Sequence, residues 1–156
     1  MIKVLFVCLG NICRSPMAEA MFREMVKEND LQGKITVDSA GIGHWHQGQP
    51  PHVGTQNILK DHVISTKGMT ARQVKYEDWD EFDYIVAMDE QNMQDLTGIR
   101  KEFNNVRIQR LMDYVPNATK ENVPDPYYTG NFQEVYDLVK AGCEHLLQQI
   151  KEDYNL

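Results

Sequence analysis

The stretch "VCLGNICRSPMAEA", Val7 to Ala20, sets a thiol, a glycine, an asparagine, a guanidinium and a hydroxyl close together in the chain. Cys8 closes an apolar run, Arg14 follows it at C-x5-R spacing, and Ser15-Pro16 comes directly after. A loop between a strand and a helix N-terminus points several backbone N–H groups into one concavity, where the helix dipole adds partial positive charge. Gly10 lets the backbone curl closely, and Arg14 offers a planar fork suited to two oxygens of a tetrahedral oxyanion. Together these groups make a phosphate cradle. The N–H donors, the helix terminus and the guanidinium also favour the thiolate form of Cys8. A thiolate beneath a bound phosphate is placed to attack phosphorus, with Arg14 and the amides stabilising the equatorial oxygens. Ser15 is near enough in the chain to hydrogen-bond the sulfur and stabilise it as a leaving group. A lone cysteine ending a strand is ordinarily a core residue. The catalytic reading rests on cysteine, glycine, asparagine, arginine, serine and proline falling on one strand–loop–helix unit.

The elements that must position this loop follow from the pattern around it. Val4 to Cys8 is a continuous apolar run, as expected of a parallel strand buried on both faces. Ser15-Pro16 suits an N-cap with proline in the first helical turn, and Ala18, Met21, Phe22 and Met25 recur at helical spacing. Lys34–Gly41 reads as a second strand with Ile35 and Val37 alternating, and "PPHVGTQNILKDH" as a helix with proline at its start. Asp83–Asp89 reads as a third buried strand, Glu90–Leu96 as a short helix and Asn105–Leu111 as a fourth strand. A long helix runs from about Phe132 to Tyr154, with Val135, Val139, Cys143, Leu146 and Ile150 on one face. This alternation predicts an α/β fold: a single-domain, doubly wound sandwich with a four-stranded parallel sheet and helices on both faces. Such sheets bind ligands beyond the carboxyl ends of their strands, at the switch point of strand order. Cys8 ends the first strand, so the unusual loop falls where a site is expected.

The composition sets outer bounds. A chain of 156 residues is expected to form one domain over 1–156, with a core that needs neither disulfides nor metal. A formal charge of −7 argues against nucleic-acid binding, which would require a basic face. No apolar run approaches the roughly 20 residues of a membrane helix, and "VLFVC" is too short for a signal-peptide core. Cytoplasmic location, no membrane association and a monomer are the expectations. Cys8, Cys13 and Cys143 do not form a secreted disulfide framework.

At the level of whole motifs the chain resembles the low-molecular-weight protein tyrosine phosphatases of bacterial type. The resemblance rests on "VCLGNICRSPMAEA", "DSAG" at Asp38–Gly41, "ARQV" at Ala71–Val74, "FDYIVAMDEQN" at Phe82–Asn92 and "VPDPYYTG" at Val123–Gly130, in the family's order. It implies hydrolysis of phosphotyrosine in proteins or peptides, releasing inorganic phosphate, with no cofactor and no metal. Cys8 would be the nucleophile that forms a cysteinyl-phosphate, and Arg14 would bind the phosphate and transition state. Leu9, Gly10, Asn11, Ile12, Cys13 and Ser15 would complete the phosphate loop. Asn11 would hold the loop's strained conformation, helped by Ser39. Asp125 would be the general acid, and then the base that activates water. A positioned acid is worth roughly 10²–10⁴ in rate at neutral pH, and Pro124 and Pro126 stiffen its loop. Without the resemblance Asp125 reads as a turn aspartate.

The resemblance also makes Leu9, Trp45, Tyr127 and Tyr128 candidate walls of a phosphotyrosine cleft, although a tryptophan in the turn-rich loop "GHWHQGQPP" also fits a cap on the core. His44, His46 and His52 lack the pattern of a metal site. In relatives sharing the Cys8–Cys13 pair, a reversible disulfide shields the nucleophile from over-oxidation, so Cys13 is either a redox partner or a buried small side chain. Cys143 reads as core. Animal members commonly carry a histidine just before "ARQV", where this chain has Met69-Thr70. Three rivals remain. Arsenate reductases of this fold need further mid-chain cysteines, and none lies between Cys13 and Cys143. Arginine phosphatases carry threonine at the position of Ile12. A non-catalytic phosphate-binding module would not need Cys8, Arg14 and Asp125 together.

Overall fold

The computed structural model describes residues 1–102 and 105–156. The first apolar run forms strand β1, Ile2–Cys8, whose residues alternate between two hydrophobic layers. Val4, Phe6 and Cys8 face one layer, and Leu5 and Val7 face the other. That two-sided burial explains the unbroken hydrophobic sequence. Helix α1, Arg14–Glu28, returns the chain to strand β2, Ile35–Gly41, which pairs in parallel with β1 from Ile2↔Ile35 to Cys8↔Gly41. Helix α2, Val53–Asp61, and the short helix α3, Asp78–Glu81, precede strand β3, Tyr84–Ala87. Helix α4, Glu90–Ile99, leads to strand β4, Arg107–Arg110, which continues through Leu111 into a 3₁₀ turn. Helix α5, Pro126–Thr129, and the long helix α6, Phe132–Tyr154, complete the order.

The sheet is all parallel with strand order β2-β1-β3-β4, as the alternation of strands and helices requires. Helices α1 and α6 pack on the face shared by Phe6, Tyr84 and Val86, and the expected apolar stripe of α6 is wholly buried there. Trp79, Phe82 and Leu96 cover the opposite face against Leu5, Val7 and Ile85. The chain leaves β1 in one direction to form β2 and returns across it to form β3. The carboxyl ends of β1 and β3 therefore flank the switch point.

Several boundaries differ from the sequence expectation. Ser15 is not the N-cap of α1: the helix begins at Arg14, Cys13 occupies the cap, and no side chain bonds there. The Ser15 hydroxyl is drawn instead to the sulfur of Cys8 and the amide of Asn11. Pro50 and Pro51 lie before α2 rather than in it, because a residue preceding proline is pushed to extended backbone; His52 caps the helix by accepting from Gly54 N–H at 2.9 Å. The short α3, α5 and 3₁₀ turn were not expected, since four residues give too little periodicity to read. Strand β4 is shorter than Asn105–Leu111 and its residues are only partly covered, with arginine at both ends, as suits a sheet edge.

Candidate active site

The loop from Cys8 to Arg14 is wound around Asn11, the residue with a left-handed backbone (φ 57°). Gly10 does not take that conformation; its missing Cβ serves instead to admit the ring of His46, which a Cβ would meet at 3.1 Å. Asparagine tolerates the left-handed region better than most residues. Its side chain fixes the turn through every polar hydrogen it has. Nδ2 donates to Ser15 Oγ at 2.7 Å and to Ser39 Oγ at 3.0 Å, while Oδ1 accepts from Arg72 N–H at 3.0 Å. The Asn11 backbone N–H then points to Cys8 Sγ at 3.3 Å. Because Ser15 Oγ accepts from Asn11, its own proton is free to be donated to Cys8 Sγ, 3.0 Å away. Ser39 passes its proton to Glu19 Oε1 at 2.6 Å, and Glu19 pairs with Arg23. The sulfur is thus set by a chain of donors that ends on a carboxylate.

The loop lies tightly on the end of β2. A Cβ on Gly41 would come within 3.0 Å of the Gly10 carbonyl carbon, so glycine ends the "DSAG" segment for close approach. Ile42 N–H donates to Cys8 O and Gly43 N–H to Leu9 O, both at 2.9 Å. His52 N–H donates to Ile12 O at 2.7 Å, and Thr55 Oγ1 to Cys13 O at 3.1 Å. The loop's carbonyls are therefore turned outward into partners. The N–H groups of Gly10, Ile12 and Cys13 donate to no group among the described residues.

Arg14 is only 2% exposed. Its Nη1 donates to Asp89 Oδ2 at 2.6 Å and to Val123 O at 2.9 Å, and Nη2 lies 3.5 Å from Asp125 Oδ2. Burial works against the guanidinium charge, but negative charge at Cys8, Asp89 and Asp125 outweighs it and raises the Arg14 pKa. Nε is buried and finds no hydrogen-bond partner among the described residues. An unpaired buried N–H costs about 1–3 kcal/mol, so the Nε edge of the guanidinium is the one suited to an incoming oxyanion. Asp125 caps α5, accepting from Tyr127 N–H at 3.1 Å, and faces the same cleft.

That cleft measures about 220 Å³ and its floor holds Cys8, Leu9, Ile12 and Cys13. Trp45, Tyr127 and Tyr128 rise around it and are the exposed aromatics of this region, with Trp45 63% exposed rather than seated on the core. His46 and His52 both pack against Tyr127, with ring centroids 6.3 and 6.2 Å away. Asn11, Arg14, Ser15 and Ser39 stand behind the floor, buried.

Sequence reasoning gave no role to Asp89, Glu19 or Arg72. Asp89 follows the third strand at the same sheet edge as Cys8, a signal that was present; it both grips Arg14 and caps α4 through Asn92 N–H at 2.8 Å. Glu19 is an acid within a buried helix face. In the "ARQV" segment it is the Arg72 main chain that supplies a donor to Asn11 Oδ1. Burial pushes the Cys13 thiol up to about 12, helped by the charges of Cys8 and Asp125.

Comparison with known proteins finds relatives along the whole chain. Residues 3–156 match the family model described as low molecular weight phosphotyrosine protein phosphatase. A Bacillus subtilis protein named low molecular weight protein-tyrosine-phosphatase YfkJ is 57% identical over 156 residues, covering 100% of both chains. Its crystal structure superimposes with a TM-score of 0.96 over 98% of this chain and 96% of that one. Staphylococcus aureus PtpA, of the same description, is 46% identical across 100% of this chain and 98% of its own. A Drosophila arginine phosphatase structure is 36% identical with a TM-score of 0.87, covering 96% and 98% of the two chains.

Proposed function

From the premise that the chain belongs to the low-molecular-weight protein tyrosine phosphatase family, we propose that it hydrolyses phosphotyrosine through a cysteinyl-phosphate, with Cys8 as nucleophile and Asp125 as acid and base. The observation that carries this reading is the buried Arg14, whose Nε has no partner among the described residues and lies beside a sulfur already addressed by two hydrogen-bond donors. In the first step Cys8 Sγ attacks phosphorus and the bond from phosphorus to the phenolic oxygen breaks. Asp125 gives its proton to the departing oxygen. Arg14 Nε–H and Nη2–H, with the free loop N–H groups, hold the equatorial oxygens as charge builds on them. In the second step the Asp125 carboxylate takes a proton from water, the resulting hydroxide oxygen bonds to phosphorus, and Cys8 leaves as thiolate. Ser15 O–H and Asn11 N–H stabilise that leaving sulfur.

Asp89 keeps Nη1 of Arg14 occupied, so the guanidinium presents its other edge. Leu9, Ile12, Trp45, Tyr127 and Tyr128 supply flat apolar surface for a phenyl ring, and the apolar Ile12 suits tyrosine better than a guanidino group. On this reading residues 1–156 act as one phosphatase domain, a cytoplasmic monomer whose substrates are phosphotyrosine-containing proteins. No helix among the described residues is long and apolar enough to cross a membrane.

The test is phosphate release from matched phosphotyrosine, phosphoserine and phosphoarginine peptides, with Cys8→Ser and Asp125→Ala alongside. Phosphotyrosine is the expected substrate, Cys8→Ser abolishes turnover while retaining binding, and Asp125→Ala costs roughly 10²–10⁴ with poor leaving groups but little with good ones. Preference for phosphoarginine overturns the substrate reading. Equal slowing of all leaving groups by Asp125→Ala overturns the acid assignment.

A further inference from the structure

Asn11 depends on a donor that belongs to no regular element. The segment around Arg72 is neither helix nor strand, apart from a single bridge between Gln73 and Gly41. A peptide unit in such a segment keeps one direction only when its side chain or its neighbours are anchored. Arg72 is anchored twice. Nε donates to Asp38 Oδ2 at 3.1 Å, while Nη1 and Nη2 reach the two oxygens of Asp78 at 3.1 and 3.3 Å. Asp78 is wholly buried and also accepts from Lys75 N–H at 2.9 Å. Asp38 is itself oriented by Ser39 N–H at 2.8 Å. The Arg72 carbonyl accepts from Gly41 N–H at 2.8 Å, at the point where the phosphate loop rests on β2.

We propose that Arg72 is a positioning residue for the phosphate loop: clamped between Asp38 of β2 and Asp78 of α3, it aims its backbone N–H at Asn11, and Asn11 in turn aims its own N–H at the Cys8 sulfur. This rests on the reading of Cys8 as the nucleophile. A planar fork spans both carboxylates at once, and an ammonium group does not. Lysine at this position keeps a cation beside the buried Asp78 but releases the link to Asp38, so the peptide unit regains freedom without leaving Asp78 unpaired. The charged groups gathered about Cys8 are Arg14, Asp89, Asp125 and, through Ser39, Glu19. Arg72→Lys touches none of them, so a change in Cys8 behaviour reports the Asn11 contact.

The experiment compares wild type, Arg72→Lys, Asn11→Ala and the double variant, each with its unfolding midpoint measured. Two readouts are used: kcat and KM for an aryl phosphate across pH, and the rate at which iodoacetamide alkylates Cys8 at pH 6, read by peptide mass. Arg72→Lys is expected to lower kcat about tenfold with KM within about twofold, slow alkylation similarly and move the acidic limb of the rate profile upward. The double variant is expected to be no worse than Asn11→Ala alone, because both act through one contact. Multiplying effects, or unchanged alkylation and pH limb in Arg72→Lys, overturn the proposal. Alkylation needs no substrate, so it decides the role of Arg72 even if the chain releases no phosphate from phosphotyrosine, the result that would sink the functional reading instead.

Discussion

At the scale of single residues, the site separates two thiols in one cleft by what surrounds them. Cys8 Sγ meets the Asn11 N–H and the Ser15 hydroxyl. Cys13 is buried first and foremost, and its thiol, pushed up to about 12, stays protonated at neutral pH. If Cys13 is the redox partner of Cys8, peroxide converts the Cys8 thiolate to a sulfenic acid with loss of hydroxide, and the Cys13 sulfur then displaces the sulfenic oxygen as water. The second step needs the Cys13 thiolate, so disulfide yield after a brief peroxide pulse is expected to rise steeply from pH 7 to 9. Dithiothreitol is expected to restore activity to peroxide-treated wild type and far less of it to Cys13→Ala. Equal recovery in the two proteins would remove the redox role and leave Cys13 as a buried side chain held beside Thr55.

At the scale of elements, each strand end is tied to the next loop by backbone bonds that skip the regular ladder. Val123 N–H donates to Met88 O at 2.9 Å, which brings the loop that carries Asp125 against the end of β3, and Val123 O then receives Arg14. One element end is built against its residue's preference. Helix α2 closes with Ile64 N–H on Leu59 O at 2.9 Å and Val63 N–H on Lys60 O at 3.0 Å, the bonds of a Schellman motif. Its left-handed residue is Val63 (φ 59°), 90% exposed, where glycine is the usual occupant. Left-handed backbone costs a β-branched residue about 1–2 kcal/mol, partly offset by the roughly 0.5–1 kcal/mol entropy cost of a glycine. Val63→Gly is therefore expected to stabilise the protein by about 0.5–1 kcal/mol, raising the thermal midpoint by roughly 1–4 °C with activity unchanged. A thermal scan that finds no gain would mean that Val63 makes a contact worth as much as its strain.

At the scale of the whole molecule, the sheet divides the apolar residues into a larger layer under α1 and α6 and a smaller one under α3 and α4. Cys143 sits in the larger layer, and burial pushes its thiol well above the ordinary value near 9. The folded protein therefore holds the protons of Cys13 and Cys143 more tightly than the unfolded chain does. Their contribution to stability is full below about pH 9 and is lost as pH climbs toward 12. Tyr84 and Tyr114, also raised by burial, extend the loss at the alkaline end. Urea unfolding between pH 8 and 11 is expected to show falling stability, with a shallower fall in Cys143→Ala. An identical slope in that variant would count against burial of the Cys143 thiol as a cause.

The sequence by itself determined the strands of the sheet, the order of its major elements and which residues share the loop, because each of these is local. Strand and helix periods are written within a few turns of chain, and Cys8, Asn11, Arg14 and Ser15 lie on one short segment whose backbone brings them together. Asp125 became legible only through the "VPDPYYTG" motif, since no local pattern marks one acid among many. Tertiary structure decided the rest. Asp89, Glu19 and Arg72 reach the loop from the turn after β3, from α1 and from the segment before α3, and only the parallel packing of β2, β1 and β3 places their polar atoms within hydrogen-bond distance of Arg14, Ser39 and Asn11. A side chain satisfies whichever buried polar group the fold brings nearest, and that neighbour is set by strand order rather than by spacing along the chain.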